Sequence, residues 1–356
     1  MFKILAINPG STSTKIALYE DEEGRFTETL SHSAAELSPF ATIFSQYAWR
    51  QQAIQGVLEK RGIALEELDA FVGRGGLLRP VTSGTYLVGP SMLEQLERAE
   101  FGEHASNLGA ILAFNLASLQ GRPAYIVDPV VVDELLPESR LTGHPRLPKQ
   151  SIFHALNHKA VARKAAAQLG KPYDQLNLVI AHLGGGISVA AHARGRVVDV
   201  NNALNGDGPF SPERSGTLPA RALADLCFSG EFTEKEIARM ITGQGGVVAY
   251  LGVNDMRQVV ARIDGGDETA LLVYTAMAGQ IAKEIGSMAT VLRGAVDAVI
   301  LTGGIAHDRR FVALIGERVG FIAPLLLFPG EEEMEALALG ALRVLRGEET
   351  AKSYEV

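Results

Sequence analysis

Two stretches decide the fold: Lys3 to Tyr19, KILAINPGSTSTKIALY, and Leu178 to Ala191, LVIAHLGGGISVAA. In each, an apolar run ends at a polar residue, a glycine-bearing turn follows, and a second apolar run departs. That is the pattern of a β-hairpin with a polar turn. At one constant offset Ile4 falls on Leu178, Asn8 on His182 and Gly10 on Gly184. The recurrence reads as an internal duplication that divides the chain near its middle.

The elements around the hairpins follow from periodicity. Val197 to Val200 continues the second hairpin as a further strand, and Val296 to Ala306, VDAVILTGGIA, is a buried strand ending in Thr-Gly-Gly. Ser38-Pro39 predicts a helix start, with Phe40, Ile43, Phe44, Tyr47, Ile54 and Leu58 forming one stripe before Gly62 stops it. Glu268 to Arg293 is apolar around most of its circumference, which predicts a helix buried beneath the Val296 strand. Met334, Leu337, Ala341 and Leu345 face one way on a final helix, and 201–219, dense in glycine, proline and asparagine, is a long loop. The expected architecture is two α/β domains meeting at a cleft, one formed by 1–150 with 331–356 and the other by 151–330.

Charge and composition narrow the partners. Thirty-three Lys plus Arg against 41 Asp plus Glu give a net charge of -8, which argues against nucleic-acid or anionic-membrane surfaces. A single cysteine, Cys227, excludes an intrachain disulfide and a zinc cluster. No apolar run approaches a membrane span, and the start, MFKILAIN, is too short and too quickly polar for a secretory leader, so the expectation is cytoplasmic. Glycine stands out at 38 of 356 residues, against a usual ~7%. A glycine surplus suits backbone loops that approach a phosphate.

No Gly-x-x-x-x-Gly-Lys-Ser/Thr is present, and Gly184 to Gly186 do not fit a Gly-x-Gly-x-x-Gly fingerprint. His154 and His158 stand four apart in HALNH, but without the intervening glutamate and third ligand of a zinc site. What remains is a pair of turns whose successive N–H groups can cradle anions without a lysine, around Asn8, Ser11 and Ser13 and around Gly184 to Gly186.

Five ordered segments then carry a resemblance: NPGSTSTK at Asn8 to Lys15, AHLGGG at Ala181 to Gly186, Glu213-Arg214-Ser215-Gly216, LTGGIA at Leu301 to Ala306, and PGEEEMEALALG at Pro329 to Gly340. Together they resemble the acetate kinase family, in its butyrate kinase branch, over essentially the whole chain. The resemblance implies duplicated ribonuclease H-like (actin-like ATPase) domains flanking a nucleotide cleft, the first handling acyl substrate and phosphate and the second the nucleotide. It implies ATP/ADP and Mg2+ as cofactors, a short-chain fatty acid and its acyl phosphate as partners, and a homodimer or larger assembly. In that family direct in-line transfer is reversible, and domain closure would shield it from water.

Site residues carry over position by position. Arg214 matches the arginine that stabilises the transferring phosphoryl group, a role its planar fork suits. A second arginine is implied within Val72 to Pro80, where Arg74 and Arg79 both qualify; Arg74 stands where acetate kinases have a histidine. His154, after Phe153, matches a histidine that contacts the phosphoryl group, and His182 ends its strand just before the glycine turn. Asp128 closes the strand Tyr125-Ile126-Val127 ahead of Pro129, matching an aspartate that positions catalysis, and His104 matches a substrate-pocket position. Ser11, Ser13 and Lys15 match phosphate contacts. For the nucleotide the matches are Gly184, Gly185, Gly186, Asp255, Met256, Arg257, Gly303, Gly304 and Ile305, with Asn254 beside them. Asn8 and Glu332 match metal ligands, within a Glu331 to Glu333 trio that leaves the phase open. Gly185 replaces the asparagine of the acetate kinase loop and removes one side-chain contact.

Chemistry agrees with a carboxylate acceptor. Phosphoryl transfer needs alignment and charge neutralisation, and a carboxylate arrives ionised, so no general base is required. Sugar kinases, actin and Hsp70 resemble one another in carrying an aspartate where this chain has the neutral Asn8. The expected reaction is ATP plus butanoate giving ADP and butanoyl phosphate. The alternatives are a branched-chain acid such as isobutyrate, then acetate or propionate, and, in another class, a non-catalytic actin-like nucleotide switch.

Overall fold

The structure is a computed structural model that describes residues 1–355, and the chain divides into two compact units. The first comprises Met1–Val132, Ala155–Asn157 and Glu332 onward. Its sheet is built from β1 (Lys3–Pro9), β2 (Ser13–Glu20), β3 (Glu23–Ser31), β4 (Ala70–Arg74), β5 (Thr85–Leu87) and β6 (Ala124–Val127). The spatial order is β3-β2-β1-β4-β6-β5, with β1 antiparallel to β2 and parallel to β4, and β4 parallel to β6. Along β1 the side chains alternate between two buried faces. Leu5 and Ile7 join Phe71 against Ile54 and Leu58 of helix Tyr47–Lys60 and Leu108 and Leu112 of helix Asn107–Ser118. Helix Glu333–Leu345 also lies against β1, β4 and β6, and buries Met334, Leu337 and Ala341. Each large aliphatic side chain buried in this way is worth ~1.5–3 kcal/mol.

The second unit comprises Asp133–His154 and His158–Glu331. Its strands are β7 (Asn177–Leu183), β8 (Ile187–Ala193), β9 (Arg196–Val200), β10 (Ala298–Gly303) and β11 (Leu325–Pro329), ordered β11-β10-β7-β8-β9. Here β7 is antiparallel to β8 and parallel to β10, and β10 is parallel to β11. Read from its other edge, this order repeats β3-β2-β1-β4-β6, and β7 starts and ends at the same offset from β1 that aligned the two sequences. Val179, Ala181 and Leu183 pack on Met277, Ile281 and Ile285 of helix Glu268–Val291. Leu178 and Ile180 pack the other way, on Val161, Ala162 and Ala165 of helix Ala155–Leu169. Two-faced burial explains why these strands read as continuous apolar runs.

Three expectations change. No helix starts at Ser38-Pro39: a Ser33/Glu36 capping box starts a short helix, Ala34–Leu37, for which Ser38 is the C-cap. Pro39 then stops it, since proline lacks the N–H needed to continue a helix. The main helix begins only at Tyr47, after a 3-10 turn at Phe44–Gln46. Helix Glu268–Val291 is not buried all round, because Leu271 and Leu272 face solvent. The two hairpin turns also differ by a residue. Pro9 faces Thr14 across Gly10 to Ser13, whereas Leu183 faces Ile187 across Gly184 to Gly186. Among the described residues no helix is long and apolar enough to cross a membrane.

Candidate active site

In the first unit the site starts where β1 meets its turn. Asn8 Nδ2 donates to Glu333 Oε2 at 2.5 Å, and Arg74 Nη1 lies 2.9 Å from Glu333 Oε1 and 3.5 Å from Asn8 Oδ1. Parallel pairing of β1 with β4 brings the ends of these strands together, and the first turn of helix Glu333–Leu345 supplies the carboxylate. Glu332, the metal-ligand candidate of the sequence reading, is the N-cap of this helix, at φ +41. Arg79 is placed elsewhere: its guanidinium lies over the Tyr354 ring, 5.0 Å from the centroid, and its backbone N–H donates to the Tyr354 hydroxyl.

Beyond Asn8, Ser11 is exposed, Ser13 half-buried, and Lys15 points outward from β2 opposite Asn8. Behind the turn lies Arg50, fully buried on helix Tyr47–Lys60. Its neighbours include Thr14, whose hydroxyl is 2.8 Å from His32 Nε2. The His32 ring meets Trp49 edge-on at 4.7 Å. Burial, then the Arg50 charge, hold the His32 imidazole below its ordinary range. Asp128, buried at the end of β6, accepts from Ser83 Oγ at 2.6 Å and Gly84 N at 2.8 Å, at φ +39. His104 is exposed, its ring 2.8 Å from Ser106 Oγ.

In the second unit the glycine turn opens onto a cavity of about 710 Å3. Of the expected nucleotide residues, Gly184, Gly185, Asp255, Met256, Arg257, Gly304 and Ile305 line it. Asp255 and Asp308 are the N-caps of helices Met256–Asp264 and Arg309–Val319, so both helix starts face the cavity. Gly186 and Gly303 do not line it. Gly303, at φ +88, lies against the Leu183 backbone, where a Cβ would not fit. Gly186 is covered by the Arg214 guanidinium, which also donates to the Ala203 carbonyl. Ser211 ties the loop down, donating to Gly185 O at 2.5 Å and accepting from Arg214 N at 3.2 Å. Burial lowers the Arg214 pKa, opposed by Glu213. Glu213 lines the cavity and accepts from Asn254 Nδ2 at 2.6 Å. His307 and Asp308 also line the cavity and were not read from the sequence; LTGGIA followed by His-Asp and a helical period was the available signal.

Histidines stack at the back of this turn. The His154 and His182 rings lie 3.9 Å apart at 12°, and His182 Nε2 is 3.6 Å from Glu331 Oε1. His158 continues the series: its Nε2 is 2.9 Å from Ser188 Oγ and its Nδ1 3.3 Å from His192, which reaches the Tyr173 hydroxyl at 2.7 Å. Phe153 closes one side edge-on to His158 at 5.2 Å. Desolvation dominates the lowering of both the His158 and His192 pKa values, so this pair is neutral. Among the described residues no group of three or more His, Cys, Asp or Glu is placed to hold a metal ion.

Two hairpin-centred sheets of matching strand order have the fold of duplicated actin-like ATPase domains, as the sequence resemblance implied. The Acetokinase family profile matches residues 149–319. Butyrate kinase 1 of Clostridium acetobutylicum is 53% identical, covering 100% of both chains. Butyrate kinase 2 of the same organism is 52% identical over 99% of both. The crystal structure of Porphyromonas gingivalis acetate kinase superposes with a TM-score of 0.78 at 21% identity, covering 94% of this chain and 98% of that one. The chain belongs to the acetokinase family.

Proposed function

We propose that this chain transfers the γ-phosphoryl group of ATP to the carboxylate of butyrate, reversibly, giving ADP and butanoyl phosphate. The observation that supports the transfer is the Arg214 guanidinium laid against Gly186, in the same turn whose Gly184 and Gly185 line the cavity. A guanidinium fixed there neutralises charge on the transferring group without paying reorganisation in the transition state. The acceptor is taken from the full-length likeness to two butyrate kinases.

In this reading ATP occupies the second unit, its phosphates on Gly184 to Gly186 and its nucleoside near Asp255, Met256, Arg257, Gly304 and Ile305. His154 and His182 donate hydrogen bonds to developing charge, and Arg74 binds the second anion, since Arg79 is engaged with Tyr354. Ser11, Ser13 and Lys15 contact phosphate, and Asp128 positions the end of β6. An amide oxygen and one carboxylate are the set a magnesium ion takes when phosphates and water complete its shell. Asn8 with Glu333, rather than Glu332, fits that requirement. Bound there, Mg2+ would neutralise polyphosphate charge. A cytoplasmic homo-oligomer completes the reading, and the acidic net charge supports the absence of nucleic-acid or anionic-membrane partners.

Hydroxylamine trapping of acyl phosphate, with ATP and magnesium across acetate, propionate, butyrate, isobutyrate and valerate, tests it. Butyrate is expected to give the highest kcat/KM. A steady fall from acetate to butyrate would remove butyrate as the substrate, and ATP turnover indifferent to any acid would remove the kinase reading.

A further inference from the structure

Arg50 is a charged side chain with no exposed surface, placed by the first turn of helix Tyr47–Lys60 directly behind the turn between β1 and β2. Its Nη1 donates to Gly10 O, Ser13 O and Thr14 Oγ1, each at 2.9 Å, and its Nη2 to Ser11 O at 3.1 Å. Gln46 Oε1 takes the remaining face, from Nε at 3.1 Å and Nη2 at 2.8 Å. The fourth carbonyl of the turn, Thr12 O, accepts from His32 N at 2.8 Å. Every carbonyl from Gly10 to Ser13 is therefore held by a donor.

Two consequences follow from elementary geometry and electrostatics. A trans peptide points its N–H opposite to its C=O, so fixing the Gly10 and Ser11 carbonyls on Arg50 turns the Ser11 and Thr12 N–H groups to the other side. Ser11 and Thr12 are the exposed tip of the turn. Successive N–H groups on one side of a turn make an anion-binding concavity. The partners named for the guanidinium are all neutral oxygens, with no carboxylate, so its charge is not cancelled locally. Burial lowers its pKa to about 10, which leaves it protonated at neutral pH.

We propose that Arg50 is a positioning residue for phosphoryl transfer: it clamps the Gly10, Ser11 and Ser13 carbonyls so that the Ser11 and Thr12 N–H groups face the phosphoryl group, and adds a buried positive charge behind them. It touches no reacting atom. The proposal rests on the reading of this turn as a phosphate loop.

The test compares Arg50→Gln, Arg50→Lys, Arg50→Ala and, as a control on the loop itself, Thr12→Asp. Folded fraction is measured by circular dichroism and gel filtration, and kcat is given per folded molecule. Arg50→Gln should lower kcat by about 10- to 100-fold, the range seen when a supporting residue is lost, with the KM for butyrate unchanged. Arg50→Lys keeps the charge but not the fork, so it should recover only part of the loss. Millimolar guanidinium should restore part of the kcat of Arg50→Ala, and tetramethylammonium should not. Thr12→Asp puts a carboxylate at the tip and should abolish turnover. Normal turnover by Thr12→Asp would overturn the phosphate-loop reading and the proposal with it. An inactive Thr12→Asp beside an Arg50→Gln of wild-type kcat would overturn the Arg50 proposal alone. Should Arg50→Gln fail to fold, a folded Arg50→Lys with wild-type kcat overturns it equally.

Discussion

Asn8 shows how much a single atom type decides. Its amide donates to Glu333 at 2.5 Å, a contact an aspartate could not make. Asn8→Asp would set two carboxylates against each other, and one of their pKa values would rise. We expect this variant to lose about 10- to 100-fold in kcat at pH 7.5, with the deficit shrinking as pH falls and the shared carboxyl takes up a proton. A pH profile against wild type checks both parts; a deficit that does not change with pH would count against the repulsion argument. At this scale the sequence was informative where a repeat fixed position, as for Asn8 and His182. It was silent on phase within Glu331 to Glu333, because three identical side chains carry no periodic signal; the fold sets Glu333 beside Asn8, Glu332 at the helix N-cap and Glu331 near His182. Arg50 gave no signal either. One arginine in YAWRQQAIQGVLEK looks like any solvated helical charge until tertiary packing encloses it.

Among the elements, the hairpins and the strand before Thr-Gly-Gly were legible because burial on both faces leaves unbroken apolar runs bounded by turn residues. The helix before Gly62 was misplaced at its start, since Ser-Pro serves equally as an entry and as a stop, and the Ser33/Glu36 box was the stronger signal. Gly303 links element to site. It ends β10 at φ +88, its N–H and C=O pair with Gly330 at 3.0 Å in both directions, and a side chain would strike Leu183. Gly303→Ala should destabilise the second unit by ~1–3 kcal/mol, the cost of a strained backbone position, and shift Gly304 in the cavity wall. Urea unfolding and the KM for ATP measure the two effects, and a variant unchanged in both would contradict this account.

For the whole molecule, two compact units that each bury their own hydrophobic side chains predict unfolding that departs from a two-state transition. If ADP without magnesium binds through the cavity of the second unit alone, ADP at a hundred times its Kd should stabilise that unit by ~2.7 kcal/mol. Calorimetry with and without ADP checks this: one transition is expected to rise and the other to stay, and equal shifts in both would contradict a cavity confined to one unit. The duplication made this organisation readable from sequence, because a repeat reports a whole sheet at once. Which side chains gather at each turn depends on pairings such as β1 with β4, which link residues far apart in the chain. The turn between β1 and β2 also carries its own optical label. Trp49 is the sole tryptophan; it adjoins Arg50 in sequence and is wedged against His32 and Phe40. Its emission is therefore a native reporter of that corner, so occupancy of the first turn can be followed by stopped-flow fluorescence without a dye or an added residue.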